Sequence, residues 1–282
     1  MTRILWALTG FVFIIGCTSQ EKGVTTKSGV VLNFIEEGQG PAPSVGQVMT
    51  LHMFYEDENG KPVFDTRESG SASPLVYDTA RWKGQGLLYE ALALLKVGDS
   101  ATFEIPTQDL FDNTFRNVVP DSMNADGYIK FYVGVVDVMS QRDYANQVDT
   151  KQLSIDGAII DQYLSDNNIE AITTDSGLRY VISQAGSGPN AAPGNEVSVH
   201  YHGTLLDGTK FDSSYDRGSP FSFVLGQGMV IKGWDEGIAL LNKGAKATLY
   251  IPSPLAYGPR GSGGAIGPDA VLKFDVELVD FE

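Results

Sequence analysis

The sequence predicts an α+β protein built twice over. Each half is expected to be a twisted antiparallel sheet of about five strands wrapped on one short helix, with a linker helix between the halves. Three observations carry this. A set of short motifs recurs at a nearly constant offset. The segments between turn signals alternate apolar and polar residues or are rich in β-formers, as strands are. Each half has one good helical stretch, and the 32 glycines suit turn-rich β structure better than a helix bundle.

The chain opens Met1, Thr2, Arg3, followed by thirteen mostly apolar residues from Ile4 to Gly16 and then Cys17. One positive charge before a short apolar run has the shape of a secretory signal peptide. The run is shorter than the roughly 20 residues that span a bilayer. The string Ile14-Ile15-Gly16-Cys17 resembles the bacterial lipobox, in which the cysteine is acylated and the signal is removed just before it. This implies a signal peptide over 1–16, lipidation at Cys17, a small polar tether over 17–23 and a membrane contact through the lipid. The location implied is the bacterial cell envelope, facing the periplasm or on the outer membrane. Cys17 is the only cysteine, so an intramolecular disulfide and a cysteine-based zinc site are both excluded. The formal net charge of −15 argues against nucleic acid as a partner, since that needs Lys and Arg to neutralise phosphates.

The repeat begins after the tether. TTKSG at 25–29 returns as TTDSG at 173–177. Gly38, Gly40, Pro41, Gly46 and His52 return as Gly186, Gly188, Pro189, Gly194 and His200, all at offset 148. Phe64-Asp65 matches Phe211-Asp212 at 147, Ile105-Pro106 matches Ile251-Pro252 at 146, and Phe131 matches Phe274 at 143. A drift confined to loops indicates a duplicated domain, here one over 24–140 and one over 173–282. In the second, strands are expected at 178–183, 197–203, 221–225, 247–252 and 271–279, with Asp207-Gly208 as a turn. The helix is VIKGWDEGIALL at 230–241, where Val230, Trp234, Ile238 and Leu241 fall on one face. Gly233 and Gly237 inside it imply a close neighbour, either a strand backbone or a ligand over the indole. Between the domains (141–172) a helix is expected at 148–169, capped by Asp149 and ended by Asn167-Asn168. Its stripe is Ile155, Ile159 and Tyr163, with Ile160 and Leu164 beside it.

The second copy carries the strings VHYHGTLLDGTKFDSS, PFSFVLGQGMVIKGWDEGIALL and IPSPLAYGPRGSGGAIGPDAVLKFDVEL. These closely resemble the FKBP family of peptidyl-prolyl cis–trans isomerases, so both copies are expected to be FKBP-like domains. The resemblance implies a pocket walled by Tyr201, Phe211, Phe221 and Phe274, with Trp234 as floor and Val230 and Ile231 as one rim. Tyr257 and Ile266 would stand at its mouth, and Asp212 would be a carboxylate at its buried edge. In the family, Tyr201, Phe211, Asp212 and Tyr257 occupy catalytic positions. The amide at Ile231 and the hydroxyl at Tyr257 bind substrate carbonyls there, and Asp212 pairs with the Tyr201 hydroxyl. The partners implied are proline-containing unfolded or partly folded exported proteins and macrolide inhibitors, and neither metal nor cofactor is called for. The flap departs from the common pattern: Ala265 stands where a larger aliphatic is usual, after Ser262, Gly263 and Gly264.

On the residues alone, these aromatics read as core before they read as a pocket, and Asp212 before Ser213-Ser214 reads as a turn cap. His200 and His202 have no further ligands at metal spacing, and His200 recurs as His52, so a structural role is expected. The glycines at 261–264 lack the Lys-Ser/Thr of a phosphate loop and are expected to form a flap. In the first copy Met53, Leu88 and Phe111 stand for Tyr201, Trp234 and Tyr257, and Gly84-Gln85 for Val230-Ile231. That copy is expected to keep the fold, through Leu92 and Leu95, and to lose the site. Its uses would be holding client chains, forming a homodimer or spacing the active domain from the membrane. The leading expectation is an envelope isomerase that assists folding of exported proteins, active in its C-terminal domain only. The alternative is a chaperone or binding lipoprotein in which isomerisation is incidental.

Overall fold

The computed structural model describes residues 23–66, 68 and 71–282. The expected signal peptide and Cys17 lie outside the described residues. The chain divides into two compact units between Tyr144 and Ala145.

The first unit runs β1 (Gly23–Thr25), β2 (Val31–Glu36), β3 (Val48–Asp57), β4 (Pro62–Asp65), β5 (Ser73–Val76), then short helices α1 (Thr79–Trp82) and α2 (Leu87–Leu92). It continues with β6 (Ser100–Pro106), a single turn α3 (Thr107–Asp109) that widens into a π-helix over Leu110–Phe115, and β7 (Tyr128–Met139). Helix α4 (Gln141–Asp166) follows. The second unit holds β8 (Ile172–Thr173), β9 (Arg179–Gln184), β10 (Ser187–Asn190), β11 (Glu196–Leu205), β12 (Lys210–Ser213) and β13 (Phe221–Val224). Then come α5 (Lys232–Ala239), β14 (Asn242–Lys243), β15 (Lys246–Ile251) and β16 (Leu272–Phe281).

Among the described residues each unit has a seven-stranded sheet. The order is β1-β2-β6-β7-β3-β4 in the first and β8-β9-β15-β16-β11-β12 in the second, with β5 and β13 joining β3 and β11. Strand for strand these are one topology, as the motif repeat requires. All the pairings are antiparallel. Alternation explains the core: Val197, Val199 and Tyr201 on β11 face inward with Phe274, Val276 and Leu278 on β16.

Helix α5 lies against this inner face, and its glycines are explained by side chains of β15 rather than by a strand backbone or a ligand. A Cβ at Gly233 would stand 2.4 Å from Ile251 Cγ2, and one at Gly237 would stand 2.6 Å from Leu249 Cδ1. The helix begins at Lys232, so Val230 is not on its stripe as expected. Asp235 accepts the amides of Gly226 and Gly228 at 2.8 and 3.1 Å, and both glycines have positive φ, which turns the preceding chain away from helical geometry. Trp234, Ile238 and Leu241 are buried as expected.

Helix α4 starts earlier than expected. Ser140 caps it, accepting the Asp143 amide at 3.0 Å, so Asp149 is interior and not a cap. Asn168 does end it, with φ of 54°. The expected stripe is rotated: Ile155 and Ile159 are 45% and 47% exposed, while Asp156, Gly157, Ile160 and Leu164 are buried. Ile160 and Leu164 pack with Tyr250 and Val271 of the second unit. Burial pushes the Tyr250 phenol up to about 12, with the neighbouring Tyr163 and Asp275 adding to it.

Candidate active site

The sheet of the second unit presents aromatic side chains on its inner face, and α5 closes that face from below with Trp234. The indole meets Tyr201 and Phe274 edge-on, at ring separations of 4.9 and 5.2 Å. Phe274 in turn meets Phe211 edge-on at 5.4 Å. These are the favoured aromatic geometries, and they leave a rigid apolar concavity rather than a filled core. The cleft measures about 580 Å³. It is lined by Tyr201, Phe211, Phe221, Val230, Ile231, Trp234, Tyr257, Ile266, Phe274 and Asp212, so the ten residues singled out from sequence converge there. Trp234 is 5% exposed, and its Nε1 is buried with no hydrogen-bond partner among the described residues.

Gly203 makes the concavity possible. A Cβ there would stand 2.6 Å from Phe211 Cε2 and 2.8 Å from Phe274 Cε1, so the two rings could not approach as they do. Phe211 is the extra residue of a bulge in β12, between the pairs Gly203–Asp212 and Thr204–Lys210. The bulge lets Phe211 and Asp212 both reach the cleft.

Asp212 is half-exposed rather than buried, and its two oxygens are fully engaged. Oδ2 accepts the Tyr201 hydroxyl, while Oδ1 accepts Arg217 Nη1 at 2.7 Å and the Ser213 amide at 2.8 Å. Arg217 Nη2 also donates to the Tyr201 hydroxyl. Burial acts to raise the Asp212 carboxyl, but the bonds from Tyr201, Arg217 and the Ser213 amide outweigh it and hold the group below the usual carboxylate range. The Tyr201 phenol is raised, first by burial and then by its bond to Asp212. Sequence reasoning missed Arg217. Its signal was positional: five residues after Asp212, at the end of a 3₁₀ turn capped by Ser213 and closed by Gly218 in the left-handed region. Met229 was also missed.

The loop 252–270 carries the mouth. Ser262 and Ile266 form an isolated bridge that folds the flap back on itself. Gly261 (φ of 61°) is required there, because a Cβ would stand 2.2 Å from the Ile266 carbonyl oxygen. His200 is structural: its Nδ1 lies 3.0 Å from Ser214 Oγ and its ring stacks on Tyr215 at 4.7 Å.

In the first unit a side chain takes the space beside the ring that matches Phe274. Tyr55 occupies the position of Gly203 and packs between Phe64 and Phe131, at 5.2 and 4.9 Å. The expected equivalence of Phe64-Asp65 with Phe211-Asp212 is corrected by the pairing. The amide of Met53 donates to Thr66 Oγ1 as that of Tyr201 donates to Ser214 Oγ, so Thr66 corresponds to Ser214. Phe64 then pairs with Tyr55 where Asp212 pairs with Gly203. A one-residue slip turns a strand side chain to the other face, so Asp65 does not stand for Asp212.

A model of the FKBP-type peptidyl-prolyl cis-trans isomerase family matches residues 188–279. Peptidyl-prolyl cis-trans isomerase FPR2 of Saccharomyces cerevisiae is 63% identical over 91 residues, 32% of this chain and 67% of that protein. An FK506-binding protein of Neisseria meningitidis serogroup A is 54% identical over 96 residues, 34% of this chain and 88% of that protein. The probable FKBP-type isomerase FkpA of Neisseria meningitidis serogroup B is 52% identical over 107 residues, 38% of this chain but only 39% of that protein. With identity this high across two thirds or more of the length of the first two relatives, the chain belongs to the family of FKBP-type peptidyl-prolyl cis–trans isomerases.

Proposed function

We propose that this isomerase works at the bacterial cell envelope on proline-containing segments of exported proteins, and that the cleft of its second unit is the sole reaction site. The contrast between the two units carries the single-site part of this reading: one topology, an aromatic cleft in the second unit, and in the first a tyrosine where that cleft needs a glycine.

Rotation about a prolyl bond is opposed by amide resonance, a barrier of roughly 18–20 kcal/mol, and requires no nucleophile. The planar amide has a large dipole that water solvates, and the twisted amide has lost it. A dry aromatic cleft therefore favours the twisted form, and about 4 kcal/mol of such preference gives a thousandfold acceleration. Trp234 offers the flat apolar surface for the pyrrolidine ring, and Tyr257 at the mouth offers a hydroxyl to a substrate carbonyl. Asp212 is not available as a base, because its oxygens are occupied. It holds the Tyr201 ring upright against Trp234 and, with Arg217, leaves little net charge at the cleft edge.

That assignment sets the pH dependence. A carboxyl held low stays ionised below the ordinary carboxylate range, and a phenol held high stays protonated above 10. The kcat/KM for a Xaa-Pro tetrapeptide should therefore be flat from about pH 5 to 9 and fall only when Asp212 protonates. A midpoint between pH 6 and 8 would show that a titrating base is at work.

Residues 23–144 and 145–282, prepared separately, test the division of labour. The second should give all the acceleration of a proline tetrapeptide and the first none. Measurable catalysis by the first would remove the claim of a single site. The envelope reading is supported by the lipobox-like string, and it expects radiolabelled palmitate to enter the full-length chain in bacterial cells and not its Cys17→Ala variant.

A further inference from the structure

Asp156 lies on α4, the helix between the repeats, yet its side chain is fully buried at 0% exposure. A carboxylate is rarely withdrawn from water unless its oxygens are paired. Here Oδ2 accepts the backbone amide of Ser253 at 2.7 Å, and Oδ1 accepts Gln152 Nε2 at 2.8 Å. Ser253 is 97 residues away in sequence and opens the 3₁₀ turn Ser253–Leu255 that leads directly to Tyr257. The same helix holds the other end of that loop. Ile160 and Leu164 pack on Tyr250, just before it, and on Val271, just after it. Apolar packing of this kind tolerates sliding, whereas a hydrogen bond to a buried amide sets both distance and direction.

The first unit supplies the contrast. At offset 146 the residue matching Ser253 is Thr107, also fully buried, and its amide donates to the Gly127 carbonyl at 3.0 Å. A backbone carbonyl thus does the job where there is no cleft. The carboxylate is used only where the following loop carries a hydroxyl and an aliphatic side chain to a cleft mouth.

We propose that Asp156 is a positioning residue for the isomerase: by accepting the Ser253 amide, its carboxylate holds the loop that presents Tyr257 and Ile266 to the cleft. The linker helix is then part of the reaction machinery as well as a connection. This inference rests on the reading of the cleft as the reaction site.

In the full-length protein, Asp156→Ala should lower kcat/KM for a Xaa-Pro tetrapeptide about ten- to a hundredfold, the cost of misplacing a group from outside the site. Asp156→Asn should restore most of the rate, since a carboxamide oxygen still accepts the amide. In a Tyr257→Phe background, Asp156→Ala should cost little more, because both changes act through one loop. A folded Asp156→Ala protein with the wild-type rate would overturn the proposal. So would losses that multiply with Tyr257→Phe, which would mark Asp156 as a general support of the fold. If Asp156→Ala does not fold, Asp156→Leu keeps nearly the shape of the aspartate and offers the Ser253 amide no acceptor. It should reproduce the loss, and a wild-type rate would again overturn the proposal. Trp234→Leu measured alongside separates the two readings. If it too keeps the wild-type rate, the cleft reading fails and this one with it; if only Asp156→Ala or Asp156→Leu does, the positioning role alone fails.

Discussion

Trp234→Leu is expected to lower kcat/KM for a proline tetrapeptide about a hundredfold, mainly through kcat, in a protein that still melts cooperatively. Leucine is the residue at the matching position of the first unit, where Leu88 is buried on the same topology. The helix therefore has a precedent for packing without the indole, with Ile238 and Leu241 holding it to the sheet. What leucine cannot replace is the flat floor that Tyr201 and Phe274 meet edge-on. Losing the contact between a large apolar ring and a prolyl ring costs about 2–3 kcal/mol, which is a factor of about 30 to 150 in rate. If the floor favours the twisted amide over the planar one, the loss appears in kcat; uniform binding would raise KM alone. Tetrapeptide kinetics at several substrate concentrations, with far-UV circular dichroism as the control for folding, distinguish these outcomes. A variant within about threefold of wild type on both parameters would mean that the indole is core and not floor.

The split between packing and floor on α5 was legible in the sequence because the chain contains its own control. Ile238 and Leu241 keep aliphatic counterparts in Leu92 and Leu95, whereas the indole of Trp234 is replaced by the aliphatic Leu88, so comparison of the two copies separated the residues that hold the helix from those that face the cleft. The strands were legible for the same reason that they pack: alternation on β11 and β16 is what buries one face. The failures share a different cause. The side of α4 that packs could not be read, because Ile155 and Ile159 are as apolar as Ile160 and Leu164. The choice is made by a carboxylate that seeks a distant amide and by Gly157, where a Cβ would stand 3.0 Å from the guanidinium of Arg179. Arg179 in turn bonds Asp161 through Nε and Nη2, both at 3.1 Å. Arg217 was hidden because a 3₁₀ turn brings it back onto Asp212, and no periodicity announces that. The Phe-Asp pair misled because motif identity says nothing of register. The strand pairing and the hydrogen bonds of Thr66 and Ser214 reveal the slip.

Gly203→Tyr should abolish isomerase activity in the full-length protein, leaving a rate indistinguishable from buffer. The substitution copies the first unit, where Tyr55 lies between Phe64 and Phe131 and fills the space. At Gly203 even a Cβ would stand under 3 Å from both Phe211 and Phe274, so a phenol ring must push one of them aside and occupy the cleft. Overpacking typically costs about 1–3 kcal/mol of stability, which an ordinary domain survives. The sheet should accept the change, since a tyrosine at this position of β3 already pairs with β4 and β7. Loss of activity with retained circular dichroism, and with no change of Trp234 fluorescence on adding a proline peptide, is the expected result. Retention of activity within about tenfold of wild type would sink the cleft assignment, because no twisted prolyl amide could share that volume with a phenol. The reciprocal change, Tyr55→Gly, should create no activity. Removing the plug from the first unit leaves Met53, Leu88 and Phe111 where the second unit has Tyr201, Trp234 and Tyr257. A hole without a flat floor or a hydroxyl at its mouth has nothing that prefers the twisted amide. The asymmetry between the two experiments follows from the physics of the reaction: one side chain can close a cleft, whereas lowering the barrier takes all of its walls together.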